Sequence, residues 1–458
     1  MELRSYQLAI FATMFLGYAC YAYNRKSVSF ALPELMAEGL RKDQAGMIVS
    51  SQNLAYAVSK FLGGVLSDRL SARLLFSAGL VLSGLATLLF GACPNSVALF
   101  SALWFLNGLA QGCGWPSCAK VLRKWYAPSQ FGTWWSVLSA SANISGGVAP
   151  FLSAFLIVSY GWRFSLTVAG TVSVAMGAVA ALAVVDEPSD VGLRVEGVAE
   201  DRPAAAGDGK SAATTADLVR SPFLWLVSFG YLVVFCAKTS AVDWGQLYLM
   251  EDLGHSQYVG SSLTSSIESG GFFGGILAGY LTDWFLRAGK GRGSGNARMP
   301  VAVLFLAGVA AGFHADWFLR AGKGRGSGNA RMPVAVLFLA GVAAGFHALC
   351  FHVSRDSSEL AISCLGLFLG ACLYGPIAIF GVAATESAPA HLSGTSHAVA
   401  ALAASVGAVI SGLPFSLLAQ NRSWGDVFLL LEVACAATAA ILFLGRNLAA
   451  GIGRPKTH

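Results

Sequence analysis

Apolar residues run along this chain in blocks too long for the core of a small soluble domain. They occupy about residues 8–31, 45–66, 74–92, 98–121, 132–158 and 163–185, and again 223–249, 258–282, 332–353, 359–384, 393–418 and 425–445. Each reaches the roughly 20 residues that an α-helix needs to cross a hydrocarbon core. Inside lipid only a helix or a closed barrel satisfies its own backbone polar groups. Continuous rather than alternating hydrophobicity favours helices. Between the sixth and seventh blocks, residues 186–222 are rich in Ala, Asp, Gly and charge. That composition cannot bury a core and reads as a mobile linker. The pattern predicts an all-α polytopic membrane protein of 12 transmembrane helices, built as two pseudo-symmetric six-helix bundles over 1–185 and 223–458 with a linker over 186–222. The first block runs into Tyr23-Asn24-Arg25-Lys26 with no small-residue cleavage site, so it reads as a retained span.

One stretch breaks the regularity. DWFLRAGKGRGSGNARMPVAVLFLAGVAAGFHA, residues 283–315, recurs without a change at 316–348. Two copies cannot make a solenoid. The apolar part of the first copy, 299–315, is marginal for spanning, whereas that of the second continues to Val353. If both spanned, every later helix would invert. The second copy is therefore expected to form the ninth span, with the first an extruded insert.

Charge orients the chain. Only 12% of residues are charged, about half the usual share. With one copy of the repeat counted, 16 cations fall beside the termini, the linker and the even-numbered loops, and five (Arg41, Lys42, Arg163, Arg355, Arg422) fall opposite. That asymmetry places both termini and the linker in the cytosol. The net charge of +6 then reflects topology and implies no nucleic-acid partner. The nine cysteines form no CxxC pair or His/Cys spacing, so no metal site is signalled. No GxxxxGK[ST] loop and no nucleophile constellation stands at a membrane face, so neither a cofactor nor an enzyme is indicated.

A few cations lie inside the apolar blocks. Lys60 and Lys120 sit near block ends and can snorkel to the interface. Arg25, Lys26 and Lys238 lie deeper. A mid-membrane charge costs about 2.5–3.5 kcal/mol on insertion scales, so such groups face a bundle interior or wet cavity. Tyr18, Tyr21 and Arg25 share a helical face at i, i+3 and i+7, while Lys26 points roughly a hundred degrees away. Arg25 and Lys238 occupy the first span of each half, which suggests a central site in a two-repeat transporter. Arg offers phosphate a bidentate fork and Lys a point charge. The other reading is an internal ion pair, with Asp243 or Glu268 as partner of Lys238. His397, near the start of the eleventh span, either donates to a ligand or is satisfied by a neighbouring helix. Gln111, Gly112, Gly114, Trp115 and Pro116 put a helix break beside a large aromatic, which suits a cavity wall or plain packing.

GVLSDRLSAR, residues 64–73, and GYLTD, residues 279–283, resemble the G-x-L-S/T-D-R loop motif of the major facilitator superfamily, once in each half. Asp68 and Arg69 carry the first copy and Asp283 the second, where Trp284 stands in place of the basic residue. YNRKSVSFALPEL, GWPSCAKVLRKWYAPSQFGTWWSVLS, YLVVFCAKTSAVDWGQLYL and GTSHAVAALAASVGAVISGLPFS resemble the organophosphate:phosphate antiporter branch, and within it the glucose-6-phosphate exchangers of the endoplasmic reticulum. That resemblance implies alternating-access exchange of cytosolic glucose 6-phosphate for lumenal inorganic phosphate, functionally coupled to glucose-6-phosphatase. It implies that Arg25 and Lys238 grip the phosphate with Lys26 close by. His397, Trp115 and Tyr56 would line the sugar side, and Asp68, Arg69 and Asp283 would set the conformational state.

Overall fold

The computed structural model describes residues 3–195, 215–289, 327–388 and 392–445, with Leu448. Among them there is helix and no strand. The first half carries α1 (Leu3–Ala37), α2 (Lys42–Arg69), α3 (Ala72–Ala92), α4 (Val97–Gln111), α5 (Gly114–Trp125), α6 (Pro128–Tyr160) and α7 (Trp162–Ala183). A short α8 (Thr215–Val219) precedes α9 (Pro222–Leu247), which ends in a π turn over Tyr248–Asp252. Then come α10 (Gln257–Gly289), α11 (Ser327–Phe351), α12 (Glu359–Ser387), α13 (Ser393–Ile410), α14 (Leu413–Asn421) and α15 (Trp424–Leu444). Every apolar block has become helix.

Among the described residues, nine helical stretches are long and apolar enough to cross a membrane. The long helices α1, α2 and α10 are not among the nine. Polar side chains interrupt them: Asn24, Arg25 and Lys26 in α1, Gln52, Asn53 and Lys60 in α2, and Ser261 to Ser265 with Glu268 in α10. Helices carrying polar residues at that depth are the ones expected to line a path or a buried network. Many large apolar side chains point outward instead, Leu182 at 86% exposure among them, as lipid-facing helices require.

The chain forms two compact units. One joins Met1–Gly207 with Asp243–Glu268 and Gly412–Asn421; the other joins Asp208–Val242, Ser269–Ser411 and Arg422–His458. In the first unit Gly161, at φ 88°, turns the chain from α6 directly into α7, a backbone conformation that L residues with a side chain rarely take. The opening residues of the linker dock back on this unit: Asp186 accepts from the Arg73 amide at 2.7 Å and from the Ser71 hydroxyl, and Glu187 pairs with Lys124. Residues 196–214 of the linker lie outside the described residues.

The expected break in the fourth span is present, between Gln111 and Gly114. Gly112, Gly114 and Pro116 weaken the helix there, and the missing side chain at Gly112 admits α2. The Ser59 hydroxyl donates to the Leu109 carbonyl beside the break, and Ser59 lies directly over Gly112. One turn earlier, a Cβ on Gly108 would press on the Gln52 carbonyl and stand 3.0 Å from Ala55 Cβ. Gly108→Ala is therefore expected to push α2 from α4 and cost about 1–3 kcal/mol, read as a melting temperature several degrees lower in detergent.

In the second unit, α11 packs with α12 and α15. Arg331 holds Glu386 through two hydrogen bonds, at 2.8 and 2.6 Å. The second copy of the repeat thus supplies the apolar helix Arg331–Phe351, as its length predicts. The first copy begins as the end of α10, through Gly289, and the rest of it, with the expected extrusion, lies outside the described residues.

Candidate functional site

Arg25 stands in the middle of α1, half-buried. Its Nε donates to Gln111 Oε1 at 2.9 Å, and its guanidinium lies 4.2 Å over the Tyr56 ring. Tyr18, seven residues earlier on the same helix face, is its other aromatic neighbour. The partners that the structure gives this cation are therefore a neutral amide and two phenols. A guanidinium so held keeps its full charge and its fork of terminal nitrogens, and the neutral phenols can yield to an oxyanion. Lys60, one turn along α2, lies 5.4 Å over the same Tyr56 ring. Lys60 is exposed, and the i, i+4 step from Tyr56 sets it beside that ring.

Aromatic rings surround the group. Trp115, on the first turn of α5 past the break, packs on Tyr18 at 4.8 Å and on Trp135 at 4.5 Å. Tyr21 is turned elsewhere. It is fully buried, and its hydroxyl donates to the Phe76 carbonyl at 2.7 Å.

Lys26 departs from the expected arrangement. Asp243 was weighed as the partner of Lys238, five residues before it. The structure instead pairs Asp243 with Lys26, Nζ to Oδ1 at 2.6 Å, and the Ser29 hydroxyl donates to the same oxygen at 3.0 Å. Five residues along a helix rotate a side chain well away from its starting face, whereas Lys26 and Ser29, at i and i+3, share one. Glu268, the other carboxylate weighed for Lys238, packs over Gly146 of α6.

In the second unit Lys238 lies 5.3 Å over the ring of Tyr374 from α12. Tyr231 precedes it by seven residues on α9 and packs on Phe235 and Phe380. His397, on α13, sets Nδ1 3.3 Å from the Gly381 carbonyl. Tyr231 to Lys238 repeats the spacing of Tyr18 to Arg25, and each tyrosine follows a glycine, Gly17 and Gly230. That internal echo was legible in the sequence and marks the two positions as counterparts. The side chains of Asp68, Arg69 and Asp283 lie outside the described residues, although their backbones are helical.

The sequence profile of the Major Facilitator Superfamily matches residues 14–352. The chain belongs to that superfamily. It is a multi-pass membrane protein of a transporter family and not an enzyme. The chain is 32% identical to the "Probable hexose phosphate transport protein" of Chlamydia pneumoniae, over 96% of this chain and 90% of that one. It is 28% identical to the membrane sensor protein UhpC of Escherichia coli K12, over 96% and 92%. Among solved structures, a bacterial homolog of the human lysosomal transporter Spinster superposes with a TM-score of 0.72 at 14% identity, covering 99% of each chain. At that identity the likeness concerns the superfamily fold, with its helices and no strands.

Proposed function

We propose that this chain is a secondary transporter that exchanges glucose 6-phosphate for inorganic phosphate across the endoplasmic reticulum membrane by alternating access, with both termini cytosolic. The observation that carries the reading is Arg25, deep in a membrane helix and ringed by neutral partners. A cation kept at that depth without a carboxylate among those partners suits a mobile anion. The relative named for hexose phosphate transport supports a sugar phosphate as that anion. Arg25 is the principal phosphate ligand of the first unit and Lys238 its counterpart in the second. Lys26 and Gln111 support the anion side, and Trp115, Tyr56 and His397 the sugar side. Asp68, Arg69 and Asp283 act in the conformational change. The endoplasmic-reticulum address and functional coupling to glucose-6-phosphatase rest on the family resemblance of the motifs.

Exchange rather than uniport follows from electrostatics. An empty site retains a cation that is costly in a dry, closed state, and a bound phosphate dianion offsets it. The test is counterflow with purified full-length chain in proteoliposomes. Internal phosphate is expected to drive uptake of labelled glucose 6-phosphate, with glycerol 3-phosphate competing weakly. Equal competition by both esters would shift the reading to a broader organophosphate exchanger.

A second reading is a transporter-fold sensor, favoured by the likeness to UhpC. A sensor binds glucose 6-phosphate without counterflow, so the same vesicles separate the two.

A further inference from the structure

Behind Arg25 a chain of amides runs through the first unit. Gln111 accepts from Arg25 Nε and donates through Nε2 to Asn107 Oδ1 at 2.7 Å. Asn107 Nδ2 donates to Asn24 Oδ1 at 2.7 Å, with Thr87 Oγ1 and the Ser83 carbonyl at 3.0 and 3.1 Å. Asn24 Oδ1 also accepts from Thr87 at 2.9 Å, and Asn24 Nδ2 donates to Ser173 Oγ at 3.0 Å. Asn24, Ser83, Thr87, Asn107 and Ser173 are at 0% exposure and Gln111 at 2%. Helices α1, α3, α4 and α7 therefore meet on one dry polar cluster.

Packing alone does not call for this. Buried amides cost free energy unless every one is bonded, and a connected network is useful mainly because it specifies geometry. The geometry specified here is that of Arg25. Its backbone is held through the adjacent Asn24, and its guanidinium through Gln111. Asn107 bonds to both. Because Asn107 Oδ1 accepts from Gln111 Nε2, the Gln111 amide is turned with its carbonyl oxygen toward Arg25. The opposite turn would face N–H donors to a cation. Because Asn107 Nδ2 donates to Asn24, the same side chain also fixes the level of α1.

We propose that Asn107 is a positioning residue for the anion site, setting the direction of the Arg25 guanidinium and of the two terminal nitrogens that a phosphate meets. The proposal rests on the phosphate-binding role of Arg25 given above.

The test is phosphate–phosphate exchange by purified full-length protein in proteoliposomes. Asn107→Leu and Gln111→Met are each expected to raise KM for phosphate roughly tenfold, the scale of one lost hydrogen bond to a charged group, while kcat moves much less. The double variant should be no worse than either single one, because both cut the same path. If Asn107→Leu does not give a monodisperse protein, Asn107→Thr keeps the packing with a hydroxyl too short to reach Gln111. A lower melting temperature and kcat with unchanged KM means a structural role only and overturns the proposal, as do additive effects of the two single variants. Retained exchange in Arg25→Ala overturns the site itself, whereas lost exchange there beside a normal KM in the Asn107 variants overturns the positioning role alone.

Discussion

Arg25→Ala is expected to lower kcat/KM for phosphate exchange by 100-fold or more, to the background of empty vesicles in most assays. The size follows from the chemistry. A bidentate fork on a phosphate makes two charge-assisted hydrogen bonds, each about 1.5–3 kcal/mol, and each 1.4 kcal/mol is about tenfold. Arg25→Lys keeps the charge and loses the fork, so it is expected to fall between the two. The melting temperature should fall by only a few degrees, because no opposite charge is left stranded and the cost is that of Gln111 Oε1 losing its donor, about 1–3 kcal/mol. Normal exchange by a folded Arg25→Ala protein would place the anion site elsewhere.

The second large effect concerns stability. Asp243 is 2% exposed and bonds Lys26 Nζ and the Ser29 hydroxyl. Asp243→Ala takes the carboxylate away from both. Loss of one member of a buried pair costs about 3–5 kcal/mol, and the 21% exposure of the Lys26 side chain argues for the lower end. The double replacement Lys26→Met with Asp243→Leu is expected to recover most of the loss, since an apolar pair carries no stranded charge. Melting curves of wild type, Lys26→Met, Asp243→Leu and their double variant give the coupling directly. Additive single effects would mean that the 2.6 Å contact contributes nothing to stability.

Much of the architecture is legible in the chain because lipid leaves few options. A long apolar run must become helix, and the blocks and the helices agree within a few residues at most ends. The break after Gln111 was legible for a similar reason: Gly112, Gly114 and Pro116 are poor helix residues crowded into a single turn. The placement of Arg25 and Tyr18 on one face follows from helical periodicity. The polar character of α1, α2 and α10 was visible too, as the residues that interrupt their apolar runs.

Partners were not legible. Asn107 and Gln111, four apart in LWFLNGLAQG, could have been noticed as an amide pair on one face of an apolar helix. Nothing in that spacing names Asn24 or Ser173. The Asp243 to Lys26 bond joins positions 217 residues apart, and local reasoning offered a neighbour in sequence instead. The Tyr56 ring beside Lys60 is likewise a contact that its distance from a helix end does not name.

The sequence by itself determined which segments are helices and which residues are too polar to face lipid. These follow from properties that each residue carries alone: transfer cost, charge and backbone preference. Only the tertiary structure decided which polar residue meets which, because that depends on the packing of helices distant along the chain. Glycines at 108 and 112 let α2 approach α4 closely enough to bring Tyr56 beneath Arg25, and the buried amides then fix where that cation points.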